Sequence, residues 1–252
     1  MSRRPALVAL VCAVALLGGC ATLNDIRGGP GAKLDPWEKW NRKVFAFNEG
    51  LDEYVLKPVA TAYSNVVPAP VRRGVDNFFG NVADAWSAVN NFLQGKGTAG
   101  VYDIVRVGTN TVFGLGGVLD IATEMGVEKT REDFGQTLGA WGVGTGAYIV
   151  WPLFGPSSLR DSVALPLDMA ASPATLFNDG ASRYSLSVLQ VVNTRANLLG
   201  ATRVLDDIAL DKYNFVRDAY LQRRGSLVFD GYEPTPEDPS APEEPASAPA
   251  AK

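Results

Sequence analysis

A stretch of 26 residues without a charged side chain constrains the fold of this chain most. It lies between Asp133 and Arg160 and reads FGQTLGAWGVGTGAYIVWPLFGPSSL. About 20 apolar residues suffice for a membrane-spanning helix, so the length alone would allow a span. Five glycines in the first half and two prolines in the second oppose it, because each interior glycine costs a helix roughly 1 kcal/mol and each proline about 3 relative to alanine. Such broken backbone survives at membrane depth only where protein or a water-lined cavity covers it.

The N-terminus has the features of a lipoprotein signal peptide. Two arginines precede an apolar run from Ala6 to Leu17, which is too short to span a bilayer. The run ends in Leu-Gly-Gly-Cys20, a lipobox in which small residues admit the peptidase and the thiol receives acyl chains. We therefore predict a signal peptide at 1–19, lipid attachment at Cys20 and an acylated linker at 20–34. The alternative is an ordinary signal peptide with a chance cysteine.

The residue after Cys20 bears on the destination of the protein. It is Ala21 and not the aspartate that typically retains lipoproteins in the inner membrane. We therefore expect a lipid-anchored protein in the periplasmic leaflet of the outer membrane. The other cysteine, Cys12, lies in the predicted signal peptide, so the mature chain can form no internal disulfide.

The C-terminal segment 231–252 is rich in proline, glutamate and alanine and has one aromatic residue, Tyr232. It cannot bury enough apolar surface to fold, and we predict a disordered tail. The body, 20–229, carries 20 basic and 21 acidic residues. A near-neutral body lacks the basic patch that nucleic-acid binding requires, so we expect no nucleic-acid partner.

The body at 35–230 is predicted to be one mainly α-helical domain. A first helix begins at Asp35-Pro36-Trp37-Glu38, which has the pattern of a capping box, and ends or kinks at Pro58. Its apolar face comprises Trp37, Trp40, Val44, Phe47, Leu51 and Tyr54. The periodicity of apolar residues predicts further helices at 68–81, 82–95, 101–114, 118–125, 186–200 and 215–224. Only 148–151 and 227–229 are strand-like.

Two features do not fit a plain soluble bundle. The first helix carries two tryptophans close to the acylated cysteine, and tryptophan is typical of the headgroup interface; alternatively, both fill the core. Asparagine, a mediocre helix former, is frequent in the predicted helices. It either caps helices and turns or forms the polar lining of a wet cavity.

Catalytic groups are scarce. The chain contains no histidine, which removes the commonest general base and most zinc sites. The glycine-rich segment at 142–146 lacks the last glycine of a dinucleotide fingerprint. We therefore predict a protein that is not an enzyme and uses neither cofactor nor metal.

Five segments, in order, resemble the motifs of the MlaA/VacJ family of outer-membrane lipoproteins. They are DPWEKWNRKVFAFN (35–48), NFLQG (91–95), LGGVLDIA (115–122), the uncharged segment with its flanks (133–161) and VRDAYLQRR (216–224). The sequence departs from the family at Ser162-Val163-Ala164, where relatives usually continue with glycine. The resemblance implies a ring-like helical domain around an amphipathic central channel, seated in the periplasmic leaflet.

The resemblance also implies a function and partners. The protein would extract mislocalised phospholipid from the outer leaflet and pass it to a soluble periplasmic carrier. Porin trimers and, through the carrier, an inner-membrane ABC transporter complex would be the other partners. We predict a phospholipid path that includes Phe47, Asn48, Gly142, Gly144, Gly146 and Tyr148. The alternatives are a structural lipoprotein that scaffolds porins without a lipid path and, less favoured, a periplasmic hydrolase.

Overall fold

Residues 34–231 are described by a computed structural model, and helices account for most of them. The predicted signal peptide, Cys20 and all of the predicted tail except Gly231 lie outside the described residues. The helices and strands fall between Glu38 and Val228, within the predicted domain. The mainly α-helical fold predicted from the sequence is confirmed.

The elements follow one another with short connections. The first half contains α1 (Glu38–Leu51), a π-helical turn (Asp52–Leu56), α2 (Lys57–Val66), α3 (Ala69–Leu93), α4 (Gly97–Val112), α5 (Ile121–Glu124) and α6 (Phe134–Ala140). The second half contains β1 (Tyr148–Trp151), β2 (Gly155–Ser158), α7 (Leu159–Ala170), a 3₁₀ turn (Pro173–Leu176), α8 (Gly180–Ile208) and α9 (Lys212–Val228). Within 34–231, none of the helices combines the length and the hydropathy needed to span a membrane.

Packing brings distant elements together. Helix α3 lies along α4, α2 lies along α8, and α6 lies against α7. The two strands form an antiparallel hairpin in which Tyr148 is opposite Ser158 and Trp151 is opposite Gly155. Helix α9 contacts both α6 and β2, so the uncharged segment is held between the last helix and the rest of the domain.

The predicted capping box at the first helix is wrong. The N-cap residue is Trp37, which makes no side-chain cap. Asp35 is instead buried, where its carboxylate accepts hydrogen bonds from the Asn41 side chain at 2.7 Å and from the Tyr213 hydroxyl. The aspartate therefore ties the start of the domain to α9, a distant contact that a local pattern cannot report.

Pro58 does not end the first helical stretch. Proline lacks an N–H and its ring clashes with the carbonyl four residues earlier. The π-helical turn at Asp52–Leu56 contains that position and widens the helix there, so the chain continues directly into α2.

Two other predicted boundaries and one predicted strand are wrong. The break at Asn81 is absent, and α3 is continuous because α4 packs along it. Gly200 does not end α8, whose favourable packing on α2 offsets the modest cost of one glycine. The predicted strand at 227–229 is the end of α9, where Val228 is buried. The predicted strand at 148–151 is confirmed, and the sequence analysis missed its partner β2.

The buried side chains are mostly polar, and the large apolar ones mostly point outward. One compact apolar cluster comprises Val44, Tyr148, Val150 and Tyr213. Outside this cluster, the largest fully buried side chains are all polar or charged. They are Arg106, Gln136, Asn41, Asn90, Asn91, Asn193, Thr137, Asp84, Asp103 and Ser87. Trp37 and Trp40 are 43% and 57% exposed, so the alternative that they fill the core is wrong.

The buried asparagines connect elements. Asn91, on α3, donates hydrogen bonds to Asp103 on α4 and to Thr130 in the following loop, both at 2.9 Å. Asn90 accepts one from Thr137 of α6 at 2.8 Å. These residues therefore fasten helices together, a role that neither alternative from the sequence had assigned to them.

Candidate functional site

A polar cavity of about 560 Å³ lies between α3, the end of α7, α8 and the loop before α6. Helix α3 contributes its longest wall, since residues spaced by three and four positions share one helix face. The charged side chains that line the cavity are Asp76, Asp84, Asp120, Glu132, Asp133, Asp168, Lys129 and Arg131. With six acidic and two basic side chains, such a lining can accommodate a cationic or zwitterionic group.

A buried ion cluster behind this cavity fixes its shape. Arg106 is fully buried and donates from Nε to Asp84 at 3.1 Å and from Nη2 to both carboxylate oxygens of Asp120 at 2.8 and 2.9 Å. Lys129 reaches the second oxygen of Asp84 at 2.9 Å. Burial alone would raise the pKa of Asp120, but hydrogen bonds from Thr123 and Asn110 and the charge of Arg106 outweigh burial and lower that pKa to about 2.

Two carboxylates of the cavity bond to neutral donors. Asp76 accepts hydrogen bonds from the side chains of Asn193 and Asn197. Asp168 accepts one from the indole N–H of Trp86 at 2.8 Å and one from the backbone of Phe134 at 2.9 Å. Burial raises the pKa of Asp168, and these bonds offset only part of the rise. No salt bridge to either carboxylate occurs within residues 34–231, so both contribute negative potential to the cavity.

An apolar groove of about 470 Å³ adjoins the polar cavity. It is lined by Pro70, Val71, Gly74, Val75, Phe78, Phe79, Val118, Leu186 and Leu189. Phe79 lines both the groove and the polar cavity, which places the two side by side. A Cβ on Gly74 would lie 2.9 Å from a methyl group of Val118, so this glycine lets α3 approach the loop before α5. The combined site is amphipathic.

A third cavity, the glycine cavity, lies at the uncharged segment. It has a volume of about 570 Å³ and is lined by Gly139, Ala140, Gly142, Val143, Gly144, Thr145, Arg160, Gly225, Val228, Phe229 and Asp230. Of the predicted path residues, Gly142 and Gly144 line it. Gly142 has φ +91°, a conformation that favours glycine, whereas Gly144 is not in the left-handed region.

The other predicted path residues lie elsewhere. Gly146 packs against Leu159, whose Cβ would lie 3.0 Å from an added Cβ. Tyr148 is buried in an aromatic cluster with Tyr213, at a ring-centroid distance of 6.2 Å. Phe47 is 57% exposed on α1. Asn48 hydrogen-bonds the backbone of Trp151 and Leu153, so the structure brings only two of the six predicted residues into one cavity.

The sequence analysis gave a wet cavity lined by asparagines as one alternative, and Asn77 and Asn110 do line the polar cavity, but it assigned none of the charged residues there. One signal could have revealed it, namely the small and polar residues Asp76, Gly80, Asp84, Ser87 and Asn91, which recur at helical spacing along α3. The apolar face of a helix normally marks the protein interior. In α3 the polar face is the interior one. Within residues 34–231, no group of three or more histidine, cysteine, aspartate or glutamate side chains could hold a metal ion.

Comparison with known proteins relates this arrangement to one family. The model of the MlaA lipoprotein family matches residues 33–227. The chain is 36% identical over 241 residues to the intermembrane phospholipid transport system lipoprotein MlaA of Escherichia coli (strain K12), covering 93% of each chain. It is 34% identical over 236 residues to the protein of the same name from Haemophilus influenzae, covering 92% of this chain and 93% of that protein.

A solved structure leads to the same conclusion. A chain from work on the structural basis for maintenance of bacterial outer membrane lipid asymmetry superposes with a TM-score of 0.66 and 35% identity. The match covers 77% of this chain and 98% of the solved one. The chain with the amphipathic site described above therefore belongs to the MlaA lipoprotein family.

Proposed function

We propose that this protein extracts mislocalised phospholipid from the outer leaflet of the outer membrane and passes it to a soluble periplasmic carrier, which maintains lipid asymmetry. The names of the two relatives place them in an intermembrane phospholipid transport system. The observation that carries the proposal is the junction at Phe79, where a polar cavity meets an apolar groove. A phospholipid needs both environments at once, because its headgroup is charged and its acyl chains are apolar.

The outward apolar surface supports a position within the membrane. Trp40 and Phe47 on α1 are each 57% exposed, and Phe113 after α4 is 71% exposed. Large apolar side chains in such number are costly in water and favourable in lipid. With acyl chains at Cys20, this surface would seat the domain in the periplasmic leaflet. The helices would then form a ring whose polar interior is the lipid headgroup's path.

The proposed partners follow from this position. The protein would associate with porin trimers in the outer membrane and deliver lipid to a periplasmic carrier that serves an inner-membrane ABC transporter complex. Lipid transfer makes and breaks no covalent bond, so the proposed role is not enzymatic. The buried carboxylates fit this role, since those of Asp84 and Asp120 are bound by Arg106 and are not free to act as general bases.

Lipid retention tests the proposal. Purified full-length protein should carry phospholipid in a stoichiometric amount by native mass spectrometry. Leu189→Glu would place a carboxylate in the apolar groove and should lower the lipid content several-fold. Ala201→Glu, which introduces the same carboxylate at an exposed position of the same helix, is the control.

The cellular consequence should follow the lipid content. In a strain that lacks the chromosomal gene, wild type and Ala201→Glu should restore low outer-leaflet phospholipid, and Leu189→Glu should not. A porin scaffold without a lipid path predicts instead that the purified protein carries no phospholipid and that Leu189→Glu restores asymmetry fully. That result would favour the scaffold.

A further inference from the structure

Arg160, the first arginine after the uncharged segment, is buried with most of its hydrogen-bonding capacity unused. It is 5% exposed and lines the glycine cavity. Its Nε donates to the carboxylate of Asp161 at 3.0 Å. Its Nη2 is buried and has no hydrogen-bond partner within the described residues. A buried donor left without a partner is costly, and a charged one more so.

The comparison with Arg106 shows how unusual this is in the same molecule. All three nitrogens of the buried Arg106 donate hydrogen bonds, to Asp84, to Asp120 and Thr123, and to the carbonyl of Val127. Arg160 has equivalent burial and one such bond. The fold can therefore satisfy a buried guanidinium, and at Arg160, which lines the glycine cavity, it leaves Nη2 without a partner among the described residues.

The position of the guanidinium is set by a missing side chain. A Cβ on Gly139 would lie 2.7 Å from Nη1 of Arg160 and 2.8 Å from a methyl group of Val228. Glycine at this position on α6 therefore leaves room for the arginine head, and Gly139 itself lines the same cavity. The sequence thus places the guanidinium of Arg160 in the wall of an open cavity.

Backbone donors accompany the arginine. Gly144 and Thr145 line the glycine cavity, and their amide N–H groups donate no hydrogen bond to any of residues 34–231. A planar guanidinium and backbone amides that line one cavity are the kinds of donor that bind phosphate and other oxyanions.

We propose that Arg160, with the amides of Gly144 and Thr145, forms a binding site for a phosphate-type oxyanion in the glycine cavity. The phosphodiester of a phospholipid headgroup and free phosphate share this chemistry. The lipid source rests on the proposed function, because it requires phospholipid to reach this cavity. The anion site itself does not depend on that function.

The acidic groups nearby leave this donor set open. Asp161 is shared with Arg224, whose Nη2 donates to it at 3.0 Å and whose Nη1 donates to Asp133 at 2.6 Å. Asp230, which also lines the cavity, pairs with Lys96 at 2.6 Å. Each carboxylate therefore has a cation other than Arg160 beside it, so Arg160 is not the sole partner of any of them.

Binding to the full-length acylated protein in detergent tests the site. The probes are dioleoylphosphatidylglycerol, dioleoylglycerol, which has the same acyl chains without phosphate, and inorganic phosphate against chloride at equal ionic strength. Arg160→Gln should weaken phosphatidylglycerol binding about tenfold or more, because one charge-assisted bond is lost. Arg160→Lys should retain part of it. Arg223→Gln, which removes an exposed charge from α9, is the matched control.

A second pair of variants serves if Arg160→Gln does not fold. Gly144→Asp and Gly144→Asn have the same size and differ in charge, and this backbone position is not left-handed. A carboxylate in the cavity wall should repel an anion, so we expect binding to be about tenfold weaker for aspartate than for asparagine.

The outcomes separate the sources and the two proposals. If the Arg160 variants weaken the binding of phosphatidylglycerol and leave that of dioleoylglycerol unchanged, the result supports the lipid source. If only the binding of inorganic phosphate depends on Arg160, the result supports a site for free anions. If the Arg160 variants, or the aspartate and asparagine pair, bind every probe alike, the site is refuted. If Leu189→Glu removes the bound lipid and Arg160→Gln does not, the anion site is refuted while the proposed function stands.

Discussion

The side chain of Asn41 hydrogen-bonds the backbone at Val150 much as the backbone of a neighbouring strand would. Its side-chain oxygen accepts the Val150 amide N–H at 2.9 Å, and its nitrogen donates to the carbonyl of Tyr148 at 3.1 Å. Two turns later on α1, Asn48 repeats the arrangement with Trp151 and Leu153, at 3.0 and 2.9 Å. Two asparagines of one helix therefore hold the edge of the hairpin.

Replacement of Asn41 should destabilise the domain strongly. In Asn41→Leu, the buried backbone groups of β1 lose their partners, at a cost of roughly 1–3 kcal/mol each. Asn48→Leu is the matched control, since its backbone partners lie where water can replace the side chain. Chemical unfolding in detergent should show a clearly larger loss for Asn41→Leu. Equal losses would mean that the burial of the Asn41 hydrogen bonds adds nothing to the free energy of unfolding.

A bulky residue at Gly144 should separate folding from function. We expect Gly144→Leu to keep near-normal helical circular dichroism and outer-membrane location, because Gly144 lies in an exposed loop and not inside a helix. It should nevertheless fill part of the glycine cavity and give a deletion-like defect in lipid asymmetry. Gly200→Leu, an equal change where an added Cβ meets nothing within 4 Å, should be active. Full activity of folded Gly144→Leu would exclude this residue from any narrow part of the path.

Two carboxylates should give opposite responses to acid. The pKa of Asp120 is lowered to about 2, below the unfolded value of about 3.9, so its stabilisation is present at neutral pH and lost as the pH falls towards 2. The pKa of Asp168 is raised by burial, so its contribution to the free energy of unfolding increases as the pH falls through that raised value.

Asparagine variants should reveal both signs in urea unfolding at neutral and acidic pH. Asp120→Asn should be less stable than wild type at neutral pH and lose less on acidification. For Asp168→Asn, the stability relative to wild type should fall as the medium becomes acidic. A parallel response of the two variants would contradict the opposite pKa shifts.

The predicted lipid attachment is also testable. Cys20→Ala should prevent acylation and leave a protein that does not restore lipid asymmetry, as membrane fractionation and outer-leaflet phospholipid would show. Cys12→Ala removes the other cysteine and should be processed and active as wild type. If Cys20→Ala reached the outer membrane and complemented a deletion, the lipobox interpretation would be wrong.

Local patterns predicted most of the long helices, missed α6 and α7, and placed the boundaries less well. Gly95, Gly116 and Gly117 do follow helix ends, because there they adopt backbone conformations that favour glycine. Gly200 and Pro58 do not end helices, since tertiary packing and a π-helical turn override the local signal.

The site was harder to predict because the interior is polar. Sequence analysis assigned Phe47 and Tyr148, which lie in segments that resemble the family, to a path, yet one is on the outside and the other is in the aromatic cluster. The cavity residues Asp76 and Asp168 are separated by 92 positions and meet only through the packing of α3, α7 and α8. Hydrophobicity cannot indicate the interior when most of the large apolar residues lie on the outside.

Polar side chains inside the domain and large apolar side chains outside it affect how the free energy of unfolding depends on temperature. The heat capacity change of unfolding rises with newly exposed apolar surface, by about 0.45 cal/K/mol per Å², and falls with newly exposed polar surface. Here Asn41, Asp84 and Arg106 are among the groups that unfolding would release, whereas Trp40 and Phe113 are already outside. The free energy of unfolding should therefore vary with temperature along an unusually shallow curve, and cooling should weaken the fold little.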